Sequence, residues 1–215
     1  MNIVVLAAGD FPTNEVPQRA LREADFVVCC DSAYRGIMRN EELGIRNYVV
    51  IGDGDSLPEE DKRKLGKRWI QVDEQDYNDL HKAMSYATSK FGIQHSTFSI
   101  IGATGKREDH TLGNISYLVT FAEEFPGVDI TMLTDYGRFV AMNGSRTFAS
   151  FPRQQVSVFT MDPSVAIHSE GLRWPLDGFH ACRWWQASLN EALGESFTLT
   201  AEGWLIVFQT YEPKI

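Results

Sequence analysis

Thr97-Phe98-Ser99-Ile100-Ile101 runs straight into Gly102-Ala103-Thr104-Gly105-Lys106-Arg107-Glu108-Asp109-His110-Thr111. A short apolar run rich in isoleucine reads as a strand buried on both faces. The glycines after it read as a loop. Leu112, Ile115, Val119 and Ala122 then recur at spacings of three and four, which places them on one helix face. Strand, glycine-bearing loop and helix in that order form the repeating unit of a parallel sheet.

The same unit extends in both directions. Ile3–Ala8, Phe26–Cys30, Tyr48–Ile51, Trp69–Val72 and Asp129–Leu133 are further strand candidates, and Leu80, Ala83, Met84, Ala87 and Phe91 mark another helix face. After about residue 137 the periodicity changes. Phe139–Met142, Thr147–Phe151, Val156–Met161, Val165–His168, Cys182–Ala187, Ser196–Thr200 and Trp204–Thr210 read as short strands punctuated by glycine and proline. The expected fold is α/β: an N-terminal, mostly parallel Rossmann-like domain over 1–137, then an antiparallel β-sandwich over 138–215.

Composition narrows the function. The chain has 215 residues, 43% of them apolar and 23% charged, as in packed globular proteins. A net charge of −9 argues against a general nucleic-acid binder, which needs a basic surface to displace counterions. It leaves a nucleotide substrate open, because magnesium bridges carboxylates to phosphates. Cys29, Cys30 and Cys182 form no CxxC pair, so neither a zinc site nor a disulfide framework is expected. No stretch reads as a signal peptide or a membrane span, so a soluble cytoplasmic protein is the expectation.

In an open parallel sheet, ligands bind beyond the carboxyl ends of the strands. Polar clusters follow the strand candidates there: Asp31 to Tyr34, Gly52-Asp53-Gly54-Asp55-Ser56, Asp73 to Asp79, and Gly102 to Thr111. Asp53 and Asp55 suit Mg2+, a hard ion that takes oxygen ligands; a solvated acidic turn is the plainer alternative. Gly102 to Asp109 offers backbone N–H groups and a helix N-terminus to phosphate, and Arg107 offers charge. Asp109 alternatively caps the helix, and His110 beside it reads first as structural. The P-loop and GxGxxG spacings are both absent. Trp174, Trp184, Trp185 and Trp204 read mostly as packing in the β-half.

Asp53-Gly54-Asp55-Ser56, Gln75 through Asp79, and Gly102-Ala103-Thr104-Gly105 with Arg107, Asp109, His110, Thr111 and Asn114 resemble thiamin pyrophosphokinases in order and spacing. Gly171-Leu172 with Trp174-Pro175-Leu176, and then Ser188-Leu189-Asn190, resemble that family's thiamin-binding domain. The resemblance implies transfer of diphosphate from ATP to thiamin, with AMP released. It implies a homodimer whose active sites are shared between subunits. Asp53, Asp55 and Asp109 would then hold magnesium and the triphosphate. Asp31, Ser56, Gly102, Thr104, Gly105, Arg107, His110 and Thr111 would line the nucleotide. Gln75, Asp79, Asn114, Ser188 and Asn190 would meet thiamin. Departures from the family pattern stand at Ser32–Arg35, Gly54, Lys106 and Leu189. A DxD-type phosphatase and a binding sensor without turnover are the rival readings.

Overall fold

A computed structural model describes residues 1–55, 57–94 and 96–213. The chain divides into two compact units, Met1–Tyr117 with Glu123–Asp135, and Leu118–Ala122 with Tyr136–Ile215.

The first unit contains β1 (Asn2–Leu6), α1 (Glu15–Arg22), β2 (Phe26–Cys30), α2 (Tyr34–Arg39), β3 (Tyr48–Gly52), α3 (Glu59–Leu65), β4 (Trp69–Gln71), α4 (Asp79–Phe91), β5 (Thr97–Ile101), α5 (Glu108–Glu124, of which Leu118–Ala122 group with the second unit) and β6 (Asp129–Leu133). Its strands are parallel in the order β6-β5-β1-β2-β3-β4. The strands β1, β2 and β3 are buried on both faces: in β1, Ile3, Val4, Val5 and Leu6 are each 2% exposed or less. Each such aliphatic side chain contributes roughly 2 kcal/mol through burial, which is why these runs show no polar alternation.

Helix α4 starts where the Asn78 side chain accepts the His81 N–H at 3.0 Å. This satisfies one of the donors left open at a helix start. Leu80, Ala83, Met84 and Ala87 are buried, as their spacing predicts. In α5 the predicted stripe is displaced. Leu112 is 50% exposed, whereas Leu118 and Phe121 are buried. Apolar residues surround much of that helix, so spacing alone does not single out one face.

The strand order reverses between β1 and β5, since β2 lies on one side of β1 and β5 on the other. Loops leaving neighbouring strands in opposite directions open a crevice at such a point. The carboxyl ends of β1 and β5 therefore define where a ligand fits in this unit.

The second unit is antiparallel. It contains β7 (Gly137–Ala149), β8 (Gln154–Phe159), β9 (Ala166–Glu170), β10 (Phe179–His180), β11 (Asn190–Glu191) and β12 (Ser196–Pro213). β12 pairs with β7 along its length; β9 takes its other edge over Thr198–Ala201, and β8 over Ile206–Gln209. Val140, Phe148, Val158, Ile167, Leu199 and Val207 from these stretches belong to one buried cluster. This is the core of a sandwich made from bent strands.

Three expectations change here. Phe139–Met142 and Thr147–Phe151 fall on one strand, which stops at Ala149, and Ser196–Thr200 and Trp204–Thr210 are parts of another. Pairing passes from Ala201–Gly144 to Leu205–Met142, so β12 carries extra residues opposite Asn143. Gly144 (φ 83°) and Gly203 (φ 159°) thus mark a bulge, not a strand end. Cys182–Ala187 is a series of turns, not a strand. Nor are three of the four tryptophans of the β-half packed inside: Trp174 is 50%, Trp184 43% and Trp185 74% exposed.

Candidate functional site

Asp31 follows β2 directly, at the start of a 3-10 turn, and is 3% exposed. Its φ of 37° is unusual for a residue with a Cβ. Gly52 makes room for it, because a Cβ at 52 would stand 3.1 Å from the Asp31 Cβ. Asp53 leaves β3 next. Its Oδ1 accepts the Asp55 N–H at 3.1 Å, and its Oδ2 accepts the Gln75 amide at 3.3 Å. The Asp55 N–H chiefly holds the Asp53 carboxyl below its ordinary range, with Gln75 and Lys82 assisting against partial burial. Gly54 between the two aspartates has φ 81°. A side chain there would meet Lys62 and Trp69, which fill the space a bulkier residue would take.

Oxygens of Asp31, Asp53 and Asp55 lie within 4.8 Å of one another. Three hard carboxylate donors at that spacing fit a hard divalent cation such as magnesium. The sequence reading assigned Asp109 to the metal set and Asp31 to the nucleotide. The structure instead gathers Asp31 with Asp53 and Asp55. Asp109 is ion-paired to Arg107 at 2.5 Å, and both are largely exposed. Arg107 and the His110 N–H pull the Asp109 carboxyl down to about 2.

Asp79 opens α4 beside this cluster. Burial pushes its carboxyl up; Lys82 opposes that, while Asp53, Asp31 and Asp55 add to it. The Lys82 ammonium lies 3.7 Å from Asp79 Oδ1 and 3.9 Å from Asp53 Oδ2, with its side chain 4% exposed. The sequence reading missed this residue. Its signal was the i,i+3 spacing from Asp79 at a helix start, which puts both on one face.

The glycine loop is stitched to the end of β1. Ala7 donates to Ile101 O at 2.8 Å, Gly9 to Gly102 O at 2.7 Å, and Asp10 to Thr104 O at 2.9 Å. Gly102 and Gly105 take φ of 67° and 81°, and a Cβ at either would collide with Ala7 or Asp10. The Thr111 hydroxyl donates to Arg107 O at 3.1 Å. Asn114 is buried and braces the site from below: its amide donates to Ala103 O at 2.8 Å, and its carbonyl accepts from Asn78 at 3.2 Å. A cleft of about 310 Å³ follows the strand-order reversal, lined among others by Gly9, Asp31, Asp79, Gly105, Arg107 and His110. Ser56 lies outside the described residues.

In the second unit, Ser188 donates to Trp185 O at 2.7 Å. Asn190 is buried and grips Trp174 twice, donating to its carbonyl at 2.7 Å and accepting its N–H at 3.2 Å. Leu189 between them has φ 58° and is 63% exposed.

A parallel sheet with carboxylates and a glycine loop gathered at its strand ends is the build of a phosphate-handling α/β protein. Residues 17–132 match the family model described as thiamin pyrophosphokinase, catalytic domain, and residues 137–208 match thiamin pyrophosphokinase, substrate-binding domain. The chain belongs to the thiamin pyrophosphokinase family. It is 31% identical to thiamine pyrophosphokinase 1 of Oryza sativa subsp. japonica over 142 residues, which is 60% of this chain and 52% of that protein. It is 34% identical to the Bacillus subtilis enzyme named thiamine pyrophosphokinase over 88 residues, 39% of this chain and 40% of that one. The chain thus spans about half or less of the curated relatives it matches. In fold it is similar to thiamin pyrophosphokinase from Candida albicans, with a TM-score of 0.83 at 16% identity, covering 98% of this chain and 90% of that one. The yeast thiamin pyrophosphokinase gives 0.78 at 15%, covering 97% and 85%. The α/β-plus-sandwich fold and the family resemblance read from the sequence are both borne out. Among the described residues, no helix is long and apolar enough to cross a membrane.

Proposed function

We propose that this chain transfers the diphosphate group of ATP to the hydroxyl of thiamin, giving thiamin diphosphate and AMP. The observation that carries the reading is the convergence of Asp31, Asp53 and Asp55 within 4.8 Å, beside Asp79 and the glycine loop. Asp31, Asp53 and Asp55 would hold Mg2+, which neutralises phosphate charge when bound. In this reading residues 1–137 carry ATP and metal and residues 138–215 carry thiamin. The protein works as a cytoplasmic homodimer with sites shared between subunits, and needs neither nucleic acid nor membrane.

The reaction asks for alignment and charge neutralisation more than for a strong base. Arg107 is exposed and, among the described residues, its side chain is held by its neighbour Asp109, a partner it can exchange for a phosphate oxygen. Gly102, Thr104 and Gly105 present backbone to the phosphates in a loop fixed by its bonds to β1. His110 and Thr111, on the first turn of α5, flank that loop. Asp79, with its raised carboxyl, accepts the hydroxyl proton as the new P–O bond forms. Gln75 and Asn114 set Asp53 and the loop, and Ser188 and Asn190 shape the Trp174–Trp185 surface for the thiamin rings.

Incubation with ATP, Mg2+ and thiamin should yield AMP and thiamin diphosphate in equal amounts. ADP, or inorganic phosphate released without thiamin, would overturn the reading.

A further inference from the structure

Among the eight asparagines of the chain, Asn143 alone is followed by glycine. Asn143-Gly144 lies in β7, at the bulge. Pairing jumps there from Ala201–Gly144 to Leu205–Met142, so Glu202, Gly203 and Trp204 of β12 stand opposite Asn143 alone. A regular ladder holds each strand residue extended, with its side chain turned away from the next peptide nitrogen. At a bulge the ladder is interrupted and the strand bends. Gly144 shows the bend directly: its φ of 83° is far from the extended range.

Both residues are exposed, whereas Met142 and Phe148 on either side of this stretch are buried. A Cβ built at Gly144 would meet nothing within 4 Å beyond its chain neighbours. The Gly144 nitrogen is therefore shielded neither by a side chain of its own nor by packing around its Cα. The Asn143 carboxamide is anchored at one end. Its Oδ1 accepts the Gly203 N–H at 3.2 Å, across the bulge. Among the described residues its Nδ2 has no hydrogen-bond partner. A donor on the carbonyl oxygen draws electrons from Cγ and stabilises the negative charge that forms when Cγ is attacked.

We infer that Asn143 is a site of spontaneous covalent modification, in which its carboxamide becomes a carboxylate through a cyclic imide with Gly144. The Gly144 nitrogen gives up its proton and bonds to Asn143 Cγ. The Cγ–Nδ2 bond breaks, and Nδ2 leaves as ammonia with that proton. Solvent water then opens the imide. Addition at Cγ gives aspartate with the original backbone. Addition at the main-chain carbonyl carbon of residue 143 gives isoaspartate, whose backbone runs through Cβ and Cγ. Nothing is oxidised or reduced. Either product adds a negative charge to a chain at −9. The bulge has room for both. Aspartate keeps an acceptor for the Gly203 N–H. Isoaspartate lengthens β7 by one backbone atom, opposite the stretch where β12 is already the longer strand.

The test is to incubate the full chain at mildly alkaline pH, digest it, and follow the peptide carrying residue 143 by mass spectrometry. Fragmentation that separates isoaspartate from aspartate identifies the route. This peptide should gain the amide-to-acid mass shift about tenfold faster, or more, than the one carrying Asn47, which is also exposed but precedes the bulky Tyr48. Asn143→Gln must close a larger ring and should convert about tenfold more slowly or less. Isoaspartate should appear together with aspartate. Conversion at Asn143 no faster than at Asn47, or as fast in Asn143→Gln, would overturn the assignment. Aspartate without isoaspartate would mean direct hydrolysis and remove the imide. A parallel incubation in denaturant tests the part played by the bulge. The native chain should convert at a rate within about tenfold of the denatured one, since the interrupted ladder leaves the pair free to react. Conversion only after denaturation would show that β7 protects the pair, and would sink the inference.

Discussion

Two regions of the first unit hold their aspartates by different means. After β3, Asp53 is fixed by the N–H of Asp55 in its own turn, and Asp31 is pressed close to Gly52. At the start of α5, Asp109 is held by the Arg107 side chain, with both groups largely in solvent. The first arrangement belongs to the backbone and cannot be traded away. The second is a surface ion pair of the kind that contributes little to stability and exchanges easily. A site that must grip a cation and also receive a changing phosphate needs both kinds of hold.

The largest effect should come from attacking the fixed region. Asp55→Asn should lower turnover about a thousandfold, since several kcal/mol of charge stabilisation go with the cation. The folded state should persist, with unchanged circular dichroism. Near-wild-type steady-state turnover would remove Asp55 from the mechanism. Asp79→Asn should lower kcat about a hundredfold. It should also abolish the acid limb of the pH–rate profile. That limb should lie above the ordinary aspartate value of 3.8, because burial raises the carboxyl and a base must be deprotonated to act. Lys82→Met should move the limb to higher pH still, since Lys82 is the group that opposes the rise. A limb that stays in place would show that Lys82 does not control Asp79.

Attacking the exchangeable region should do less. Arg107→Gln should cost turnover about tenfold, the worth of one charge-assisted hydrogen bond. The smallest effect is a titration. With Arg107 present, the Asp109 carboxyl stays ionised down to about 2. A lowered carboxyl favours the folded state above pH 3.8, and that contribution fades as pH falls towards 2. In Arg107→Gln the Asp109 side-chain carbon should titrate higher than in wild type by NMR, still below the ordinary range because the His110 N–H remains, with little change in melting temperature because the pair is exposed. An unmoved titration would mean the His110 N–H, not Arg107, sets it.

How much of this was legible in the sequence differs between the units for the same physical reason. Phe26–Cys30, buried on both faces, announces itself as an unbroken apolar run and was read to the residue; Thr97–Ile101 and Asp129–Leu133 were read to the residue as well, although Ser99 and Thr131 interrupt them. In the second unit the long strands bend at a bulge. Gly144 and Gly203 at that bulge look in sequence like strand ends. Cys182–Ala187 misleads in the opposite way. Its two tryptophans imitate a buried strand, yet both lie at the surface in turns. Of the site, the acidic positions were legible because they follow strands. Which of them meet was not, since Asp31 joins Asp53 and Asp55 only through the side-by-side pairing of β2 and β3. Lys82 went unread because a lysine inside a helix ordinarily points to water, whereas this one is enclosed by carboxylates.

Gly9 and Asp10 tie the glycine loop to the end of β1 through two backbone hydrogen bonds, and Gly9 has no room for any side chain against Thr104 and Gly102. The loop is therefore given its shape when the sheet forms, not when a ligand arrives. The ordering entropy that a mobile phosphate loop would charge against each binding event is settled once, at folding. Such a loop meets each incoming phosphate already pre-organised, and leaves the exposed Arg107 as the part still free to adjust.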